Sequence, residues 1–149
     1  PAPGDAGWMG ADSDVSVVIG GGATGRRALW IFADTFITRC DEDSRARVWE
    51  GMRIVNSTVA VWEIADGGHR GRPQFYWRTS EDSSPRAFFE PSAERTADGE
   101  LLWPVAGMAS RDGNSVLVLA MRVKGFLNSV GTTAIVIRDV ASVDDPLQW

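Results

Sequence analysis

The chain is poor in the residues on which most covalent and metal chemistry depends, with one cysteine and one histidine among 149 residues. A lone Cys40 cannot form an internal disulfide, which removes the stapled scaffold of small secreted domains and leaves the redox compartment open. No second cysteine or nearby histidine supports Cys40 as a nucleophile or metal ligand. The single His69, in Gly67-Gly68-His69-Arg70-Gly71, excludes a multi-histidine zinc site built within the chain, and no Ser-His-Asp triad is expected around it. It reads as a surface loop residue, and neither a cofactor nor a metal is expected.

Positive charge is also short. Lys and Arg total 15 against 20 Asp and Glu, a net charge of -5. The arginines at 26, 27, 39, 45, 47 and 53 are interleaved with Asp41, Glu42 and Asp43, so no basic stripe is available for a phosphate backbone and nucleic acid is not expected as a partner. No apolar run approaches the length of a membrane-spanning helix, so no membrane partner is expected. The opening Pro1-Ala2-Pro3-Gly4-Asp5 has neither the basic nor the apolar region of a signal peptide.

What is present is ordinary globular material, 44% hydrophobic and 23% charged, enough for a real core in one domain. The apolar runs are short, β-branched or aromatic, and bounded by Gly, Asn, Asp and Ser, which is the strand signature. Strands are predicted at Val15–Ile19, Ala28–Ala33, Val55–Ile64, Gln74–Arg78, Leu101–Ala106, Ser115–Val123 and Thr132–Arg138. Helical spacing is confined to Asp43–Met52 and is too brief to define a helix. Tight connections at Gly20–Gly25 and Arg111–Asn114 contrast with long charged excursions at Thr38–Arg53 and Ser80–Asp98. Antiparallel meanders fit this order; a doubly wound α/β sheet does not. The unit of two apolar strands around a hairpin with a third strand after a longer loop occurs twice, as expected for radially repeated sheets.

Two motif matches dissolve on inspection. Gly20-Gly21-Gly22-Ala23-Thr24-Gly25 has dinucleotide-loop spacing, but an aromatic strand follows where a helix should open, so it reads as a hairpin turn. Asn56-Ser57-Thr58 is a glycosylation sequon at the start of an apolar strand, where a glycan would conflict with sheet packing; Asn56 reads instead as a polar side chain lining a groove. The chemistry that remains is carboxylate chemistry. Asp12 and Asp14 precede the first predicted strand, and Asp34 sits among Trp30, Ile31, Phe32, Phe36 and Ile37, where shielding from water would raise its pKa. Of the seven tryptophans, Trp8, Trp30, Trp62, Trp77 and Trp103 recur beside strand ends, and an aromatic face next to polar groups suits a sugar ring, although β-sheet cores use tryptophan as well.

The run Trp8-Met9-Gly10-Ala11-Asp12-Ser13-Asp14-Val15-Ser16, then Leu29-Trp30-Ile31-Phe32-Ala33-Asp34-Thr35-Phe36, then Asn56-Ser57, resembles the opening of five-bladed β-propeller proteins related to glycoside hydrolases, some of which act on arabinofuranose-containing glycans. Trp103-Pro104, Gly131-Thr132 and Asp145-Pro146-Leu147-Gln148-Trp149 resemble that family's second-blade punctuation. The resemblance implies an all-β chain of about two blades of a five-bladed ring, the first near residues 8–80 and the second near 99–149. It also implies a carbohydrate-active, glycoside hydrolase-like protein with acids at the propeller axis. Asp12 would then be the general base or nucleophile and Asp34 its electrostatic support or a substrate ligand, with Asp14, Asn56, Trp30 and Trp103 holding the glycan. The partners implied are a glycan and the remaining blades, on another chain or in a homo-oligomer, in a secreted or cell-surface setting. Two departures stand out: Ala33 replaces a glycine, and Trp103-Pro104-Val105-Ala106-Gly107-Met108 carries no carboxylate, although glycoside hydrolysis needs two across the scissile bond. A lectin-like module of oligomerised two-blade subunits, or a structural propeller without chemistry, are the alternatives.

Overall fold

In the computed structural model the described residues are 7–20, 25–39, 41, 46, 48–125, 128–143 and 145–149. They form antiparallel sheets, none of which closes on itself, with one short α-helix and a 3-10 turn at Pro146–Gln148. A four-stranded sheet runs in the order β2 (Asp14–Ile19), β3 (Arg26–Phe32), β6 (Thr58–Ala65), β7 (Gly68–Tyr76), flanked by a three-stranded sheet of β1 (Gly7–Ala11), β4 (Thr35–Thr38) and β5 (Arg53–Val55). A second meander joins β10 (Glu100–Ala109), β11 (Val116–Lys124) and β12 (Asn128–Ile137). Between β7 and β10 lie the small pair β8 (Arg78–Thr79) and β9 (Pro85–Arg86) and the helix α1 (Ala93–Ala97).

Every predicted strand is present, with altered bounds. The expected Val55–Ile64 strand is interrupted at Asn56-Ser57, Gln74–Arg78 divides between the end of the longer β7 and the start of β8, and β1, β4, β9 and α1 lie outside the predicted elements. Residues 48–52 of the weak helical segment form a turn, closed by Met52 N–H on the Trp49 carbonyl, and most of its first half lies outside the described residues. The glycine-rich segment joins antiparallel neighbours, with Ile19 opposite Arg27, so the hairpin reading holds at its ends; residues 21–24 lie outside the described residues, as does Cys40. His69 is exposed as expected, but on β7 and not in a loop, and its ring stacks on Trp62 at 4.1 Å.

Strand alternation sets the core. Val15, Val17 and Ile19 of β2, Leu29 and Ile31 of β3 and Val59 and Val61 of β6 share one face of the four-stranded sheet and meet Val116, Val118, Ala120, Leu102 and Ile137 of the second meander. Close approach is permitted at Gly107, where a Cβ would sit 3.3 Å from both Val15 Cγ1 and Ile31 Cδ1. The excursion after β9 is stitched in through Ser57, whose carbonyl accepts from Phe88 N–H at 2.8 Å and whose hydroxyl accepts from Phe89 N–H at 2.9 Å. That places Phe88 and Phe89 in the core.

Candidate functional site

Three chain segments break at one level. Asp14, Phe32 and Thr58 form one cross-strand row, and Ala11, Thr35 and Val55 form the next. Between these rows each segment carries two residues outside the strands: Asp12-Ser13, Ala33-Asp34 and Asn56-Ser57. The two flanking sheets are therefore continuations of each other across a shared bend. Sequence supplies the reason for the bend: short polar side chains compete for backbone hydrogen bonds, and Ser13 adopts φ 49°, a left-handed turn conformation.

The bend is held from below by a dry hydrogen-bond chain. Trp8 Nε1 donates to Thr58 Oγ1 at 3.2 Å, the Thr58 and Thr35 hydroxyls lie 2.9 Å apart, and Thr35 Oγ1 donates to the Ala33 carbonyl at 2.7 Å. Thr35 and Thr58 are fully buried, so these bonds fix the geometry without competition from water. Trp8 is clamped further by stacking on Phe75 at 4.3 Å and by tilted contact with Phe32. Its role is structural.

Above that floor the polar groups converge. Asp12 N–H donates to the Asp34 carbonyl at 3.1 Å, Ala33 N–H donates to the Asp12 carbonyl at 3.0 Å, and Asn56 Nδ2 donates to Asp34 Oδ1 at 3.2 Å. Partial burial pushes the Asp34 carboxyl above the ordinary aspartate value; the Asn56 hydrogen bond opposes this, and the nearby Asp12 charge adds to it. Asp12 itself is exposed. The structure thus brings together Asp12, Asp34 and Asn56. Asp14 lies two residues beyond, exposed at the start of β2 and opposite Phe32.

The two tryptophans singled out from sequence are placed differently. Trp30 lies in mid-β3 between Ser16 and Ala60, half-buried, with its Nε1 enclosed and without a hydrogen-bond partner among the described residues. Trp103 belongs to β10, opposite Met121 in the second meander. The participants that sequence reasoning missed are Thr35 and Thr58. Their signal was adjacency, since Thr35 follows Asp34 directly and Thr58 closes the Asn56-Ser57-Thr58 triplet. Among the described residues no group of three or more His, Cys, Asp or Glu is placed to hold a metal ion, and no helix is long and apolar enough to cross a membrane.

Among known proteins, no family model, curated protein or solved structure matches this chain.

Proposed function

We propose that the bend carrying Asp12, Asp34 and Asn56 is the glycan-binding corner of a carbohydrate-active, glycoside hydrolase-like β-propeller, to which this chain contributes two blades. The observation that carries the reading is the alignment of three strand breaks, which gathers two carboxylates and a carboxamide from distant parts of the sequence at the ends of three neighbouring strands. Supporting the propeller itself, β2-β3-β6-β7 and β10-β11-β12 are meanders in which each strand neighbours the one before it in the sheet, and β10 packs against β2. Supporting the chemistry, vicinal sugar hydroxyls need several acceptors and a donor at fixed separations, which carboxylates and a carboxamide supply.

In this reading Asp12, exposed to solvent, acts as base or nucleophile toward the sugar. Asp34, pushed toward the protonated form by burial, binds a hydroxyl or holds a proton, and Asn56 sets its orientation. Asp14 and Trp30 extend the surface along β2 and β3, and Trp103 would reach it only across the sheet interface. The remaining blades come from another chain or further copies, in a secreted or cell-surface setting.

The test is titration of arabinofuranose and pyranose oligosaccharides into isotopically labelled protein, with hydrolysis followed by release of reducing ends. The expected result is amide shift changes centred on Asp12, Asp34 and Asn56, lost in Asp12→Asn and Asp34→Asn. Shifts that map elsewhere, or sugar binding unchanged in both variants, would remove the site from this corner.

A further inference from the structure

The two meanders are unequal. In the first, β6 is covered along its far edge by β7, whereas in the second the corresponding strand, β12, pairs among the described residues with β11 alone. An open edge is normally guarded by charge, proline or a bulge. The first half of β12 has such a guard, an irregularity opposite Arg122 and Val123. The second half, Thr132–Ile137, has none: its residues are Thr-Thr-Ala-Ile-Val-Ile, uncharged and largely β-branched, in unbroken register with Val116–Met121.

This unguarded half opens into a cavity of about 760 Å³, lined by Ile135, Val136 and Ile137 together with Trp77, Phe88, Phe89 and Trp149. Three successive residues of one strand in the lining mean that the groove runs along the strand's edge, so backbone donors and acceptors face it. The groove also has a fixed cation. Arg78 Nε donates to the Phe88 carbonyl at 3.0 Å, and its guanidinium sits 5.4 Å from the Phe88 ring centroid, with no ion pair among the described residues. Its neighbour Arg86 is already engaged by Glu90 through two hydrogen bonds.

We propose that this groove accepts a strand supplied by a separate polypeptide, which adds to Thr132–Ile137 by backbone pairing and sets an acidic side chain against Arg78. Its alternate side chains would be apolar, because the outward face it would extend is apolar, with Leu119 45% and Val136 49% exposed. A second copy of β12 is the poorer occupant, since Asn128–Ile137 carries no acid to meet Arg78. The inference does not depend on the glycan corner, which lies on other strands.

The experiment is selection of a random peptide library on the intact protein, followed by titration of the recovered peptide into labelled protein and hydrogen exchange. Recovered peptides should alternate apolar residues around an Asp or Glu, shift the amides of Thr132–Ile137 and protect them from exchange. Arg78→Gln should weaken such a peptide by about tenfold and leave the same peptide with its acid replaced by the amide unaffected, so that a general loss of fold is distinguished from loss of the ion pair. Failure to recover any binder, or binders that map away from β12, would overturn the proposal. So would concentration-dependent dimerisation that protects β12 without peptide, which would make a second copy the occupant.

Discussion

The amide of Gly20 donates to the carbonyl oxygen of Gly113 at 2.9 Å, and a Cβ on Gly113 would lie 2.4 Å from that same Gly20 nitrogen. The connection after β2 and the turn between β10 and β11 therefore meet backbone to backbone, at a separation that leaves no space for a side chain. Gly113 also has φ 70°, so both conformation and space require glycine.

Gly113→Ala is expected to destabilise the fold by about 2–4 kcal/mol, because the left-handed strain is joined by a backbone clash that only separation of the two turns can relieve. Gly99→Ala is the control, with φ 76° and nothing within 4 Å of the added Cβ. It should cost about 1 kcal/mol. Urea unfolding of both variants checks the prediction; equal losses would show that the Gly20–Gly113 contact is not a tight junction.

Ser57→Ala should cost about 1–3 kcal/mol, since the buried Phe89 N–H would lose its acceptor. The loss should be local first. Limited proteolysis is expected to open the segment around Phe88 and Phe89 before the four-stranded sheet unfolds, and cleavage at an unchanged rate would argue that this segment is held by its phenylalanines alone.

The carboxyl of Asp34 gives a prediction with a sign. Its pKa is raised in the folded state, so the native protein binds more protons than the unfolded chain between the ordinary aspartate value and the folded value. Stability falls as pH rises through that window, and the penalty is present in full above it. Asp34→Asn should therefore preserve or raise stability at neutral pH, with the amide still able to accept from Asn56. In carboxyl-detected titrations, Asp12→Asn should lower the Asp34 pKa and Asn56→Ala should raise it further. Opposite shifts would contradict the arrangement of these three side chains.

Much of the sheet was readable from alternation alone. Val15, Val17 and Ile19, and likewise Leu29 and Ile31, announce one buried face, and Asp112-Gly113-Asn114 announces its hairpin. The short strands β1 and β4 were not readable as strands, because Trp8-Met9-Gly10 and Thr35-Phe36-Ile37 lack clean alternation; pairing with each other, with Ala11 opposite Thr35, is what makes them strands. Of the candidate corner, Asp12, Asp34 and Asn56 were legible as unusual polar residues at the edges of apolar runs. Their convergence was not, since it depends on cross-strand register, which no local pattern encodes. Trp103 lies in the second meander, opposite Met121, in keeping with its place in the second of the two repeated units.

The aligned breaks at Asp12-Ser13, Ala33-Asp34 and Asn56-Ser57 have a further consequence for how this protein can diverge. Each member of the corner is located by counting residues from its own hairpin, so a single insertion or deletion within β2, β3 or β6 would slide one partner past the others and turn alternate side chains inside out. Replacement of one apolar residue by another along the same strands would leave the corner where it is. The corner is therefore tolerant of changes in spelling and intolerant of changes in word length, and descendants that keep it should differ in length only in the excursions between strands.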